Sequence, residues 1–189
     1  DIMATTPRWR APVDQWQHRL SQWIRDPEPE ALLNAQIFFD MRPVFGDRTL
    51  FEQVLAVVLD QAPHSPLFLA YLARAAQGSK PPLGFFRDFV LGRAGEQERT
   101  LDVKAGALVP ITQIARLSAL ALGRRAQGTT DRLRAASGTR VLSASHAADL
   151  ADAHEFLTGL RTEHHVRQHA EGLPLDSRIL PENVSPFER

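Results

Sequence analysis

Histidine, arginine, lysine and the carboxylates are the side chains whose spacing here could do chemistry, and the 189 residues include no cysteine. Disulfides, thiolate metal sites and cysteine nucleophiles are thereby excluded. Five of the seven histidines, His146, His154, His164, His165 and His169, fall in one stretch. His165 and His169 are four apart and share a helix face, as metal ligands can. The plainer reading is a solvated helix end, where a part-protonated imidazole suits the negative end of the dipole. Asp40 and Arg42 flank a helix end inside the bulky stretch Ile37-Phe38-Phe39-Asp40-Met41-Arg42-Pro43. One reading is a partly buried ion pair that fixes the turn; the other is an anion or nucleotide contact by the planar fork of Arg42. A second constellation runs from Asp102 through Lys104 to Gly106, with Arg116 further on. Lys104 supplies a positive charge, Gly106 lets a backbone approach a ligand, and Arg116 is placed to point at the same spot. Against this stands an ordinary extended connector with solvated charges.

Complete catalytic templates are missing. The chain has no Gly-x-x-x-x-Gly-Lys phosphate loop and no Gly-x-Gly-x-x-Gly. It has no Gly-x-Ser-x-Gly nucleophile turn, and His154-Glu155 lacks the second histidine of a zinc-protease helix. No Asp-x-Asp pair is present to hold two metal ions against a triphosphate. No catalytic residue is assigned, nor any metal ligand.

The elements that must position these residues read as helices. Apolar residues recur at helical spacing over Trp9–Ile24, from about Glu30 to Met41, from Asp47 through Val58, from Ser65 to Gly78, and around Phe85–Val90. They recur again from Pro110 to Leu122, closed by Gly123, over Thr130–Ala136, and from Ala144 to about Gln168 behind a Ser143 or Ser145 cap. Thr100 to Lys104 alternates apolar and polar and is the one short extended segment. The tail from Gly172 looks extended. The expectation is an all-α fold, a bundle of seven or eight helices with at most one short extended segment near 100–104.

Apolar residues make up 43% and charged residues 23%, ordinary for a folded domain. The 22 basic and 22 acidic side chains cancel, so no overall positive charge draws in nucleic acid. Apolar runs such as Val54–Leu59 are too short to span a bilayer, and the first residues lack a secretion pattern. These features point to a cytoplasmic protein with neither nucleic-acid nor membrane partner. The chain reads as one helical domain, residues 1–189, cut from the C-terminal end of a longer multidomain protein.

Several stretches together resemble a known family. They are Ile37 to Val44 with Gly46-Asp47, Pro81-Pro82-Leu83-Gly84-Phe85-Phe86, Leu101-Asp102-Val103-Lys104 with Gly106, Pro110-Ile111 with Ala115-Arg116, Leu160-Arg161 with His164, and the tail from Leu180-Pro181 to Arg189. In this order they resemble the C-terminal nucleotidyltransferase substrate-binding domain, the DUF294 C-terminal family, of bacterial signal-transduction proteins with cyclic-nucleotide-binding and CBS domains. Two positions depart from that pattern: His164-His165 stands for His-Gln, and Ala107-Leu108 follows Gly106 where a second Gly is usual. The resemblance implies a helical accessory domain, substrate-binding or regulatory and not catalytic in isolation. It implies an upstream nucleotidyltransferase domain, similar to enzymes that uridylylate or adenylylate other proteins, along with CBS and cyclic-nucleotide-binding domains. The divalent metal, Mg, belongs to that catalytic domain, and this chain holds no cofactor. Asp40, Arg42, Asp102, Lys104, Gly106 and Arg116 are the candidate substrate or nucleotide contacts, with a nucleotide or protein as acceptor. A homodimer, or an interaction module relaying upstream signals, is the alternative.

Overall fold

In the computed structural model, residues 5–28, 37–77, 92–94 and 98–180 are described. Six α-helices lie among them: α1 (Val13–Arg25), α2 (Arg48–Gln61), α3 (Pro66–Gln77), α4 (Val109–Ala121), α5 (Thr129–Ala136) and α6 (Ala144–Ala170). The all-α reading holds. The helices expected near Glu30–Met41 and Phe85–Val90 fall wholly or mostly outside the described residues. Only the end of the first is described, where the Asp40 and Met41 N–H groups donate to the Ile37 and Phe38 carbonyls.

Local chemistry sets the helix starts. Asp47 opens α2 by accepting the Thr49 N–H at 2.8 Å, which satisfies an orphan donor of the first turn. Ser143 does the same for α6 through the His146 N–H. Pro66 begins α3, where its missing N–H is no loss.

The expected start of the helix at Pro110 needs correction. A π-turn over Lys104–Leu108 runs straight into α4, and the Val109 N–H reaches back to the Lys104 carbonyl. A proline ring inside an α-helix collides with the carbonyl four residues earlier. A widened turn relieves that collision, so the helix continues through Pro110 rather than beginning there.

The extended segment also needs correction. It spans Glu98–Asp102 (β2) and is joined by two further strands, β1 (Gly92–Ala94) and β3 (Arg178–Ile179), in an antiparallel sheet of order β1-β2-β3. Leu101 faces Ile179 and Asp102 faces Arg178. β3 is two residues long, so only pairing with a distant strand reveals it.

Among the described residues, three apolar clusters hold the elements together. Leu20 and Ile24 of α1, Phe38 and Phe39 of the segment before α2, Val54 and Val58 of α2, Phe68 of α3 and Leu120 of α4 form the largest. Trp16 and Trp23 pack on Phe38, with ring centroids 4.6 and 5.6 Å away. A second cluster joins Ile111 and Ala115 of α4 to Leu133 of α5, with Leu150 and Leu157 of α6 alongside. A third packs Val103 and Leu108 of the π-turn against Ile179 of β3. α4 therefore runs through the middle, touching α3, α5 and the π-turn, and carries Arg116 to the base of the largest cluster.

Candidate functional site

Asp40 sits just past the short helix end at Ile37–Phe38, with Phe39 buried beside it. Its carboxylate pairs with Arg116 of α4, which also donates its Nε to Oδ1 at 3.3 Å. It pairs as well with Arg132 of α5, at 2.6 Å. Arg132 is nearly enclosed, its side chain 5% exposed. Its remaining donors go to the Phe39 carbonyl at 3.1 Å and the Ala126 carbonyl at 3.0 Å. A buried guanidinium tolerates this only because every face is matched. Burial raises the Asp40 pKa, but the hydrogen bonds and charges of Arg116 and Arg132 outweigh it and hold the carboxyl below its ordinary 3.8.

The Asp40–Arg42 pair does not form. Arg42 is exposed and makes no ion pair among the described residues. Arg116 instead reaches Asp40 from 76 residues downstream. Sequence reading missed Arg132. Its only signal is its place four residues before buried Ala136, on the inward face of a short helix.

Around this clamp lies a small pocket of about 30 Å³ between α2 and the α4–α5 loop. Phe39, Met41, Phe51 and Leu55 give it apolar walls, and four arginines, Arg116, Arg124, Arg125 and Arg132, line it. Arg124 and Arg125 are placed by the end of α4. Gly123 there has φ +59, its N–H donates to the Leu120 carbonyl, and the Arg124 N–H donates to the Ala119 carbonyl at 2.9 Å. This pair of bonds is a Schellman cap, which needs a residue in the left-handed region. Any Cβ at Gly123 would lie 2.7 Å from the Leu59 carbonyl oxygen of α2. Glycine therefore lets the loop press onto α2, where Arg125 forks onto Glu52 with both distances 2.6 Å.

The other expected site residues lie elsewhere. Asp102 caps the π-turn, its Oδ1 accepting the Ala105 N–H at 2.9 Å. Gly106 is inside that turn with helical backbone, so it offers no extended approach to a ligand. Lys104 is exposed at the turn's start. At 1.5 Å rise per residue, Lys104 and Arg116 are roughly 18 Å apart along one continuous helix. The six candidates therefore do not converge: Asp40 and Arg116 meet, while Asp102, Lys104 and Gly106 occupy the far end.

At that far end the chain folds back along α6. Asp176 Oδ1 receives the Arg178 N–H at 2.9 Å and the Gln168 side chain at 3.1 Å, and lies 3.2 Å from His164 Nε2. The Arg178 N–H, outweighing the cost of burial and helped by His164 and Gln168, keeps the Asp176 carboxyl below its ordinary value. His165 Nε2 contacts the Asp176 carbonyl at 2.7 Å. His165 thus serves the tail, and His169 is exposed. Among the described residues no three acids and imidazoles gather as metal ligands do.

Residues 66–189 match the family described as "Putative nucleotidyltransferase substrate binding domain", and residues 1–30 match the companion family "Putative nucleotidyltransferase DUF294". The first match covers more than half of the chain, so the chain belongs to the nucleotidyltransferase substrate-binding family. No curated protein and no solved structure matches it. Asp40 falls between the two matched stretches, while Arg116, Arg124, Arg125 and Arg132 all lie within the second. Leu20 and Ile24, from the first stretch, share one core with Phe68 and Leu120 from the second. Among the described residues no helix is long and apolar enough to cross a membrane.

Proposed function

We propose that residues 1–189 form one helical domain, the accessory half of a nucleotidyltransferase-type signalling protein, which binds and positions substrate while a neighbouring domain supplies the Mg-dependent transfer. The observation that carries this reading is the convergence of four arginines on one pocket, where among the described residues two carboxylates, Asp40 and Glu52, pair with them. Such a pocket stabilises negative charge, and both of those carboxylates are already engaged by arginine. Family membership supports the same role. Arg116 takes part as a preset charge rather than as a free hand, because Asp40 fixes its orientation. Lys104 and Asp102 lie too far off to join it. The expected outcome is that the chain alone, given nucleoside triphosphate, Mg and candidate acceptor proteins, transfers nothing, and that adding the nucleotidyltransferase domain restores transfer. Nucleotidyl transfer by the chain alone would overturn the reading.

A second reading, an interaction or dimerisation module relaying signals from CBS or cyclic-nucleotide-binding domains, draws support from the loop next to the clamp. Val44 is 89% exposed and Phe45 wholly so, unusual for adjacent large apolar residues. Sedimentation of wild type and Phe45→Ser separates the readings. A dimer that Phe45→Ser dissociates favours the module.

A further inference from the structure

We infer that the cleft between α2 and the α4–α5 loop is a phosphoryl-group site, in which Arg124 and Arg125 grip a phosphate dianion and Glu52 is the internal counter-charge it displaces. This rests on the substrate-binding reading above and names the chemical class of the ligand.

The four arginines of the pocket differ in how far they are committed. Arg132 has each of its three nitrogens engaged, by Asp40, Phe39 and Ala126. Arg116 is 12% exposed and spends two nitrogens on Asp40. These two are structural charges, costly to redirect because they are themselves enclosed and Asp40 is the charge that matches them. Arg124 is exposed and has no acidic partner among the described residues. Arg125 is 51% exposed and its partner Glu52 43%. An ion pair that open is worth about 0–1 kcal/mol, so exchange of Glu52 for another anion costs little. Among the described residues, four guanidinium groups against two paired carboxylates leave two positive charges over. A phosphate monoester carries about −1.5 to −2 at pH 7, which matches that surplus; a single carboxylate does not.

Geometry agrees with the charge. Glu52 already lies in the Arg125 fork with two parallel bonds of 2.6 Å, the arrangement a phosphoryl group adopts on arginine. The enclosed space, about 30 Å³, admits a small anionic group and not a whole nucleotide. The organic remainder of a ligand would lie outside, against Met41, Phe51 and Leu55. The Schellman turn at Gly123 fixes the backbone that carries the two arginines before anything binds, which lowers the ordering cost of binding.

Calorimetry of the full chain in Mg-free, low-salt buffer tests this with inorganic phosphate, pyrophosphate and AMP as separate titrants. Expected is measurable binding of all three, with AMP tighter than phosphate if the organic part also contacts the apolar wall. Equal affinity for AMP and phosphate would assign the site to free phosphate, still a phosphoryl site. Arg124→Ala and Arg125→Ala should each weaken binding at least tenfold. Glu52→Gln should tighten it several-fold, a gain that a purely structural role for the pair does not produce. Lys104→Ala, at the other end of the helix, should change nothing. Unfolding midpoints of the exposed Arg124 and Arg125 variants close to wild type exclude misfolding as the cause. Two results overturn the proposal: no binding of any titrant to wild type, or losses that are equal in Lys104→Ala and Arg124→Ala. Either can occur while the two-domain transfer assay succeeds, in which case the accessory role stands and its ligand is not a phosphate.

Discussion

At Asp40 a single carboxylate serves two guanidinium groups that are far less exposed than it is, 39% against 12% and 5%. Removing it leaves Arg132 charged and enclosed, with only two carbonyls for company. One-sided loss of a buried pair costs about 3–5 kcal/mol; with Asp40 more than a third exposed, solvent screening reduces this, and roughly 2 kcal/mol is expected for Asp40→Asn at pH 7. The folded carboxyl has a pKa below the ordinary 3.8, so its stabilisation is full above that value and fades as pH falls through the lower, folded one. Urea unfolding should therefore show the gap between wild type and Asp40→Asn constant near pH 6–7 and shrinking below about pH 4. A gap that widened in acid would mean that Asp40 is held by something other than these arginines.

Among the elements, the end of α4 and the returning tail have separate duties. Gly123 combines a left-handed backbone with contact against α2. A side chain in that conformation costs about 1–2 kcal/mol, and here it also meets a backbone oxygen that cannot swing away. Gly123→Ala is expected to lower stability by at least about 2 kcal/mol in chemical denaturation and to disturb Arg124 and Arg125 before any other arginine. The tail hangs on Asp176, with the Val103 N–H donating to the Ser177 carbonyl at 2.9 Å to close the sheet end. In Asp176→Ala, hydrogen exchange should quicken at Val103, Arg178 and Ile179, while amides in the middle of α4 keep their protection. Uniform loss of protection would mean that the tail is part of the global folding unit.

Across the whole molecule, the charge-bearing residues sort into two ends of one helix. The Arg116 end holds the pocket; the Lys104 end holds caps and tail contacts. Salt should weaken anion binding at the first end because Arg124 and Arg125 are exposed, whereas the Asp40 clamp, being partly enclosed, should lose little. Raising salt from 50 to 500 mM is thus expected to reduce phosphate affinity severalfold with only a small change in the unfolding midpoint. What the sequence alone determined is what depends on near neighbours. Helical periodicity, helix starts near Asp47 and at Ser143 or Ser145, the stop at Gly123 and the all-α class all follow from spacing within a few residues, and the structure picks Asp47 and Ser143 as the caps. Asp40 and Arg116 could be singled out as charges in apolar surroundings, but their pairing could not, since the partner lies 76 residues away. Arg42, two residues along in sequence, is the nearer cation but makes no ion pair among the described residues. Arg132, Arg124 and Arg125 became site residues only when α5 and the α4 cap were packed against α2. Tertiary structure made that decision because a charge acquires its meaning from what surrounds it in space, and burial and long-range pairing leave no local pattern to read.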